Sequence, residues 1–187
     1  TTSGGLYRYD MCDIVEVVDF YNRTPVIVFK QKGGNTVSIT GEKVTETQVT
    51  ESMKKAAAAL SVPVEGFVLA LRLSELPAYE LLVETPERDE RRLSGLLAQF
   101  EHELRQQNIE YSDKRASLRL GEPELRLLEA GSFEAHRKRR VQRGVPDGQY
   151  KLPHLSKDVE QFADFRYITK IKAPLAALPG RKDESDS

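Results

Sequence analysis

Leu93, Leu96, Leu97, Phe100 and Leu104 recur at i, i+3, i+4, i+7 and i+11. That spacing places five large apolar side chains on one face of a helix, which must bury it against another layer. The surrounding segments supply such a layer. Residues 65–73 and 79–84 read as two strands joined through Ser74 to Ala78, with Pro77 in the turn. Residues 124–128 read as a third strand, with Leu125 and Leu127 on one side. Thr36 to Ile39 is a short strand ended by Gly41. Thr45-Glu46-Thr47-Gln48 has capping-box spacing and predicts a helix over residues 46–60. Thr85-Pro86 offers an N-cap and first-turn proline for the long helix. Ser132 is placed to cap a short helix after Gly131, and Ser156 a last one over residues 157–165. Strands and helices interleave irregularly, without an internal repeat. The expected fold class is α+β, a small mixed β-sheet flanked by helices.

The N-terminal stretch is different in kind. Residues 7–11, 14–18 and 26–29 are rich in β-branched and aromatic residues and read as strands, with Asn22-Arg23-Thr24-Pro25 as the turn between the last two. Asp13 sits between the first two runs. A carboxylate at a strand end can accept two hydrogen bonds from a vicinal diol such as a ribose, or simply solvate a turn. Lys30-Gln31-Lys32-Gly33-Gly34-Asn35 then breaks the pattern, and the paired glycines suit either a hinge or a plain hairpin loop.

Composition narrows the function classes. The net charge of −1 gives no bulk electrostatic case for nucleic acid or an anionic membrane. No apolar run approaches the roughly 18 residues that span a bilayer, and no signal-peptide pattern opens the chain. A single cysteine, Cys12, excludes an internal disulfide framework and suits a reducing cytoplasm, the expected location. The basic run His136-Arg137-Lys138-Arg139-Arg140, with Arg143, lacks interleaved aromatics and reads as a solvated helix face rather than a phosphate or RNA site. His102, His136 and His154 lie far apart without ligand spacing, so no metal site is expected.

Two segments carry a resemblance. Tyr7 to Asp13 followed by Phe20-Tyr21-Asn22-Arg23-Thr24-Pro25, and Gln149-Tyr150-Lys151-Leu152-Pro153 far downstream, resemble the auxin-responsive promoter (Gretchen Hagen 3) family of acyl acid–amido synthetases, within the adenylate-forming superfamily. The family's first motif ends in Gly-Asp and continues to Gly-Phe-Tyr-Asn-x-Thr-Pro. Its second is Gln-Tyr/Phe-Lys-x-Pro. Cys12 and Asp19 stand where the family usually has glycine.

The resemblance implies an ATP-dependent ligase that joins an acyl acid to an amino acid through an acyl-adenylate. ATP and Mg2+ are the implied cofactors, with the magnesium ligands and the phosphate loop expected upstream of Thr1. The chain opens without methionine, and the implied organisation is residues 1–29 as the end of a larger adenylating domain, a hinge over 30–35, a C-terminal α+β domain over 36–173, and a disordered tail over 174–187. The missing N-terminal adenylating domain is thus an expected partner, and this stretch alone is expected to be inactive. By resemblance Asp13 holds the ribose, with Tyr9 and Phe20 also at the nucleotide. Lys151 is the catalytic cation that swings in for adenylation. The residues themselves leave two other readings open: a coenzyme A ligase of the same superfamily, and a non-catalytic ferredoxin-like ligand-binding module.

Overall fold

The computed structural model describes residues 13–32, 36–144 and 152–173. The chain divides into two compact units, Thr1–Thr36 and Val37–Ser187.

The first unit is a hairpin of β1 (Asp13–Tyr21) and β2 (Thr24–Lys32), antiparallel from Asp13 opposite Lys32 to Tyr21 opposite Thr24. β-Branched and aromatic residues favour both strands, and Asn22 closes the turn at φ 56°, a left-handed conformation that asparagine tolerates. The expected turn runs too long, because Thr24 and Pro25 already belong to β2. Its far end also outlasts the sequence pattern. Lys30 to Lys32, half of the expected hinge, remain in β2 because Gln31 and Lys32 still pair with Ile14 and Asp13. Gly33 to Asn35 and the expected strand over residues 7–11 lie outside the described residues, as does the tail over 174–187. Val15, Val17, Phe20, Tyr21, Val26, Ile27 and Val28 are 41–75% exposed. A two-stranded ribbon of this kind is marginal on its own.

In the second unit, β3 (Thr36–Val37) pairs with β4 (Val44–Thr45), and a five-stranded sheet follows in the order β8-β5-β6-β7-β9. Its strands are β5 (Gly66–Arg72), β6 (Ala78–Glu84), β7 (Glu124–Leu128), β8 (Leu155–Ser156) and β9 (Tyr167–Lys172). β5–β6 and β7–β9 pair antiparallel, whereas β6–β7 and β5–β8 pair parallel, so the sheet is mixed as expected. Alternation along the strands divides the core. Phe67, Leu69, Leu71, Tyr79, Leu81, Val83, Leu125 and Leu127 join one cluster with α1 (Glu46–Leu60) and α2 (Glu90–Gln107), while Val68, Ala70, Leu82 and Leu128 join Val159, Phe162 and Phe165 in a second. All five residues of the predicted stripe are buried in the first cluster.

Several local expectations fail for identifiable reasons. α2 is capped by Asp89, whose carboxylate accepts the Arg91 and Arg92 N–H groups, not by Thr85. Thr85 instead donates its hydroxyl to the Pro63 carbonyl. α4 (Ser132–Gln142) takes Gly131 as its N-cap, at φ 79°, without a side-chain cap. The Glu84 carboxylate, from β6, accepts the Gly131 and Phe133 N–H groups in place of Ser132. Ser156 lies in β8, and the last helical turn is a 3-10 helix (Val159–Phe162) capped by Asp158. The sequence pattern missed α3 (Ile109–Ala116), β8 and β9. Among the described residues no helix is long and apolar enough to cross a membrane.

Candidate functional site

Asp13 is the first residue of β1 and Phe20 the last but one. At about 3.3 Å per residue they stand roughly 23 Å apart along the strand. Phe20 is 63% exposed, leaving its ring open to a partner. Its N–H donates to the Asp19 carboxylate at 2.7 Å, an interaction unavailable to the glycine the family usually carries there. Tyr9 and Lys151 lie outside the described residues. The chain just after Lys151 is placed: Leu152 packs against the second core cluster, and His154 is tied to the sheet. The His154 carbonyl accepts the Leu69 N–H at 2.9 Å, and its ring stacks on Phe67 at 4.4 Å between centroids.

The most densely bonded polar cluster lies where the second unit begins. Glu42 is fully buried, and its carboxylate accepts the Tyr79 hydroxyl at 2.6 Å, the Ile39 and Thr40 N–H groups, and the Thr40 hydroxyl. Burial by itself raises the carboxyl, but these donors together outweigh it and hold Glu42 below the ordinary glutamate range. Tyr79 moves the opposite way, pushed well above a normal phenol first by burial and then by the Glu42 carboxylate. The Asn108 side-chain amide donates to the Glu42 and Lys43 carbonyls and to Gln48. This cluster fastens residues 39–48 to the sheet and to the α2–α3 corner. Every partner is internal, so its chemistry is structural. Sequence reasoning missed it, since the Glu42–Tyr79 contact carries no local signal.

Two further clusters of charged side chains are built into the second unit. Glu80 is fully buried between Arg72 at 3.3 Å and Arg126 at 2.5 Å, and Arg72 also reaches Glu124 at 3.1 Å. A groove of about 320 Å3 is lined by Glu129, Gly131, Ser132, Arg139, Asp164 and Arg166. There Asp164 meets His136 at 3.1 Å and Arg139 at 2.5 Å. Burial pushes the Asp164 carboxyl up, yet the His136 and Arg139 partners hold it below its usual range. The basic run is therefore more than a solvated face. His136 is buried, and Arg137 and Lys138 pair with Glu134. No group of three His, Cys, Asp or Glu among the described residues is arranged to hold a metal ion.

The arrangement of a lone hairpin followed by a two-core α+β unit defines a class, and the comparisons with known proteins identify it. The second unit matches the GH3 family C-terminal domain over residues 47–160, and the hairpin lies within a match to the GH3 family central domain over residues 1–32. The chain belongs to the GH3 family. The fold resembles that of a solved GH3.15 acyl acid amido synthetase, with a TM-score of 0.78 and 22% identity over 92% of this chain and 34% of that one. Among curated relatives, a probable indole-3-acetic acid-amido synthetase GH3.11 from Oryza sativa subsp. japonica is 30% identical over 82% of this chain and 28% of its own. The Arabidopsis thaliana indole-3-acetic acid-amido synthetase GH3.3 is 28% identical over 96% of this chain and 31% of its own. The Arabidopsis thaliana 4-substituted benzoates-glutamate ligase GH3.12 is 26% identical over 84% and 30%. The chain thus spans about a third of the length of these relatives.

Proposed function

We propose that this chain works as the C-terminal part of an ATP-dependent acyl acid–amino acid ligase. The observation that carries the reading is the order of the two family matches, central domain then C-terminal domain, with the division between the two units, after Thr36, falling in the gap between them. The relatives named for amide synthesis from an acid and an amino acid support that substrate class. In the first half-reaction the acid's carboxylate oxygen attacks the α-phosphorus of ATP and pyrophosphate leaves. In the second, the amino acid's amine attacks the acyl carbon, loses a proton, and AMP leaves. Magnesium would neutralise phosphate charge during the first step. In this reading its ligands come from the adenylating domain rather than from this chain.

The chain's own contribution is positioning and charge. Asp13, at the start of β1, accepts hydrogen bonds from the ribose hydroxyls. Lys151 brings a compact cation on a flexible stem to the α-phosphate, where negative charge grows in the transition state. Rotation of the C-terminal unit about the segment near residues 30–35 carries Lys151 in for adenylation and withdraws it for amide formation.

The test uses the full-length enzyme. Lys151→Ala should slow pyrophosphate exchange by roughly 100-fold or more, while amide formation from a supplied acyl-adenylate stays near normal. Asp13→Ala should weaken ATP binding by about 1–3 kcal/mol in a calorimetric titration. Equal loss of both half-reactions, or of neither, would remove Lys151 from this role. Product analysis with an amino acid and coenzyme A in competition separates the amido synthetase from a coenzyme A ligase. Absence of any exchange in the wild-type enzyme, across a panel of acids, would favour a binding module.

A further inference from the structure

One face of the five-stranded sheet changes character along its strands. Val68, Ala70, Leu82 and Leu128 are covered there by Val159, Phe162 and Phe165. The same alternation brings Arg72, Glu80, Glu124 and Arg126 onto this face at one end of the sheet. β9 extends the set, with Lys172 opposite Glu124 and Lys170 opposite Arg126, and directly opposite residues share a face. Four cations and two carboxylates thus meet at this end, an excess of two positive charges.

Glu80 is fully buried, and one guanidinium meets each of its oxygens. Arg72 Nη1 lies 3.3 Å from Oε1, and Arg126 Nε 2.5 Å from Oε2. Arg72 Nη1 also reaches Glu124 at 3.1 Å, and Arg126 Cζ lies 5.5 Å from the centre of the Tyr167 ring. Both arginines are held from within, yet the Arg72 side chain is 33% exposed and that of Arg126 22%. A guanidinium carries five N–H groups. Among the described residues no hydrogen bond occupies Arg72 Nη2 or either Nη atom of Arg126, and Arg72 Nε is buried without an acceptor. Stability does not call for this arrangement. A carboxylate buried between cations seldom outperforms apolar side chains of similar size, and apolar residues fill the rest of this face. What Glu80 supplies is order, because two long side chains lose their rotamer freedom before any ligand arrives.

We propose that this end of the sheet binds a small anion carrying two adjacent phosphoryl groups, with Arg72 and Arg126 as its forks and Lys170 as an outer point charge. A guanidinium matches two oxygens of a phosphoryl group at once, whereas an ammonium acts as a compact charge. Arg72 and Arg126 both reach Glu80, while Lys170 stands on the strand beyond Arg126, about 4.8 Å further across the sheet. The cations therefore extend past the reach of a single phosphoryl group. The site is built wholly from the C-terminal unit and does not depend on the ligase reading.

The experiment titrates the 187-residue chain with sodium pyrophosphate in a calorimeter, without magnesium and at constant ionic strength, and repeats the titration with sodium sulfate. The wild type should bind pyrophosphate saturably, roughly tenfold or more tighter than sulfate. Arg126→Lys keeps the charge and loses the fork. Lys170→Gln removes an exposed charge. Each should weaken pyrophosphate by roughly tenfold, the scale of one charge-assisted bond. Lys54→Gln, which removes an exposed charge from α1, should leave the affinity unchanged. Lys170 is on the surface, so its variant decides the matter even where Arg126→Lys disturbs folding. Absence of saturable binding in the wild type overturns the proposal. So does unchanged affinity in either folded site variant, or sulfate binding as tight as that of pyrophosphate. An equal loss in Lys54→Gln overturns it as well, since that is the mark of general charge attraction.

Discussion

Tyr79 and Glu42 show how a single buried pair can set the stability of a segment. The hydroxyl–carboxylate bond at 2.6 Å joins the centre of the sheet to the loop over residues 39–42, and neither group has access to water. Tyr79→Phe leaves the carboxylate buried with one donor fewer, a loss of about 1–3 kcal/mol in urea unfolding at neutral pH. The sign of the pH dependence follows from the lowered Glu42 carboxyl. Its contribution is fully present above the unfolded pKa of about 4.3 and is lost as pH falls through the lower folded value. Stability should therefore drop on acidification below that range, and the gap between wild type and Tyr79→Phe should narrow there. A gap that widens in acid would mean that the carboxylate is not the partner that matters. Gly66 is constrained differently. A Cβ at this position would lie 2.5 Å from Phe133 Cδ2, so the close approach of β5 to the Phe133 ring requires glycine.

At the scale of elements, agreement between local signal and structure tracks how local the stabilising contacts are. α1 spans residues 46–60 as expected and begins where its capping box predicts, because Thr45 and Gln48 satisfy each other's backbone within one turn. Thr45→Ala should cost about 1 kcal/mol, with Thr45→Ser recovering most of it, as read from denaturant midpoints at constant m-value. No change in midpoint would show that tertiary packing alone defines the start of α1. The start of α4 behaves in the opposite way. Its first N–H groups are met by Glu84, 47 residues earlier in the chain, so the local candidate Ser132 is left to bond the Glu129 carbonyl. β8 has two residues and β9 carries an exposed, lysine-bearing pattern. Neither offers the alternation that identifies a strand, since each is an edge strand recruited by its neighbour.

For the molecule as a whole, the buried residues of both core clusters begin at Val37. Among the described residues the hairpin contributes none of them, and Val15, Val17, Phe20, Tyr21, Val26, Ile27 and Val28 are exposed. A chain of residues 37–173 should accordingly fold with a melting temperature within a few degrees of the 187-residue chain, since it keeps every described residue of both core clusters. A collapse of cooperative unfolding on this truncation would show that the hairpin supports the second unit.

Local chemistry determined much of this protein from sequence alone. The mixed α+β class, α1, the buried face of α2, the central strands β5 to β7 and the GH3 resemblance all rest on periodicities, caps or contiguous motifs that act within a few residues. Tertiary structure alone decided the rest. Strand order and the two edge strands are of this kind, and the Glu42–Tyr79 pair, the Glu84 cap of α4 and the bond from the His154 main-chain N–H to Glu46 join residues that sequence keeps 37 to 108 positions apart. The energy of such a contact depends on desolvation and geometry that exist only once the sheet has formed. A side chain such as Glu46 therefore looks, in sequence, like an ordinary first-turn carboxylate.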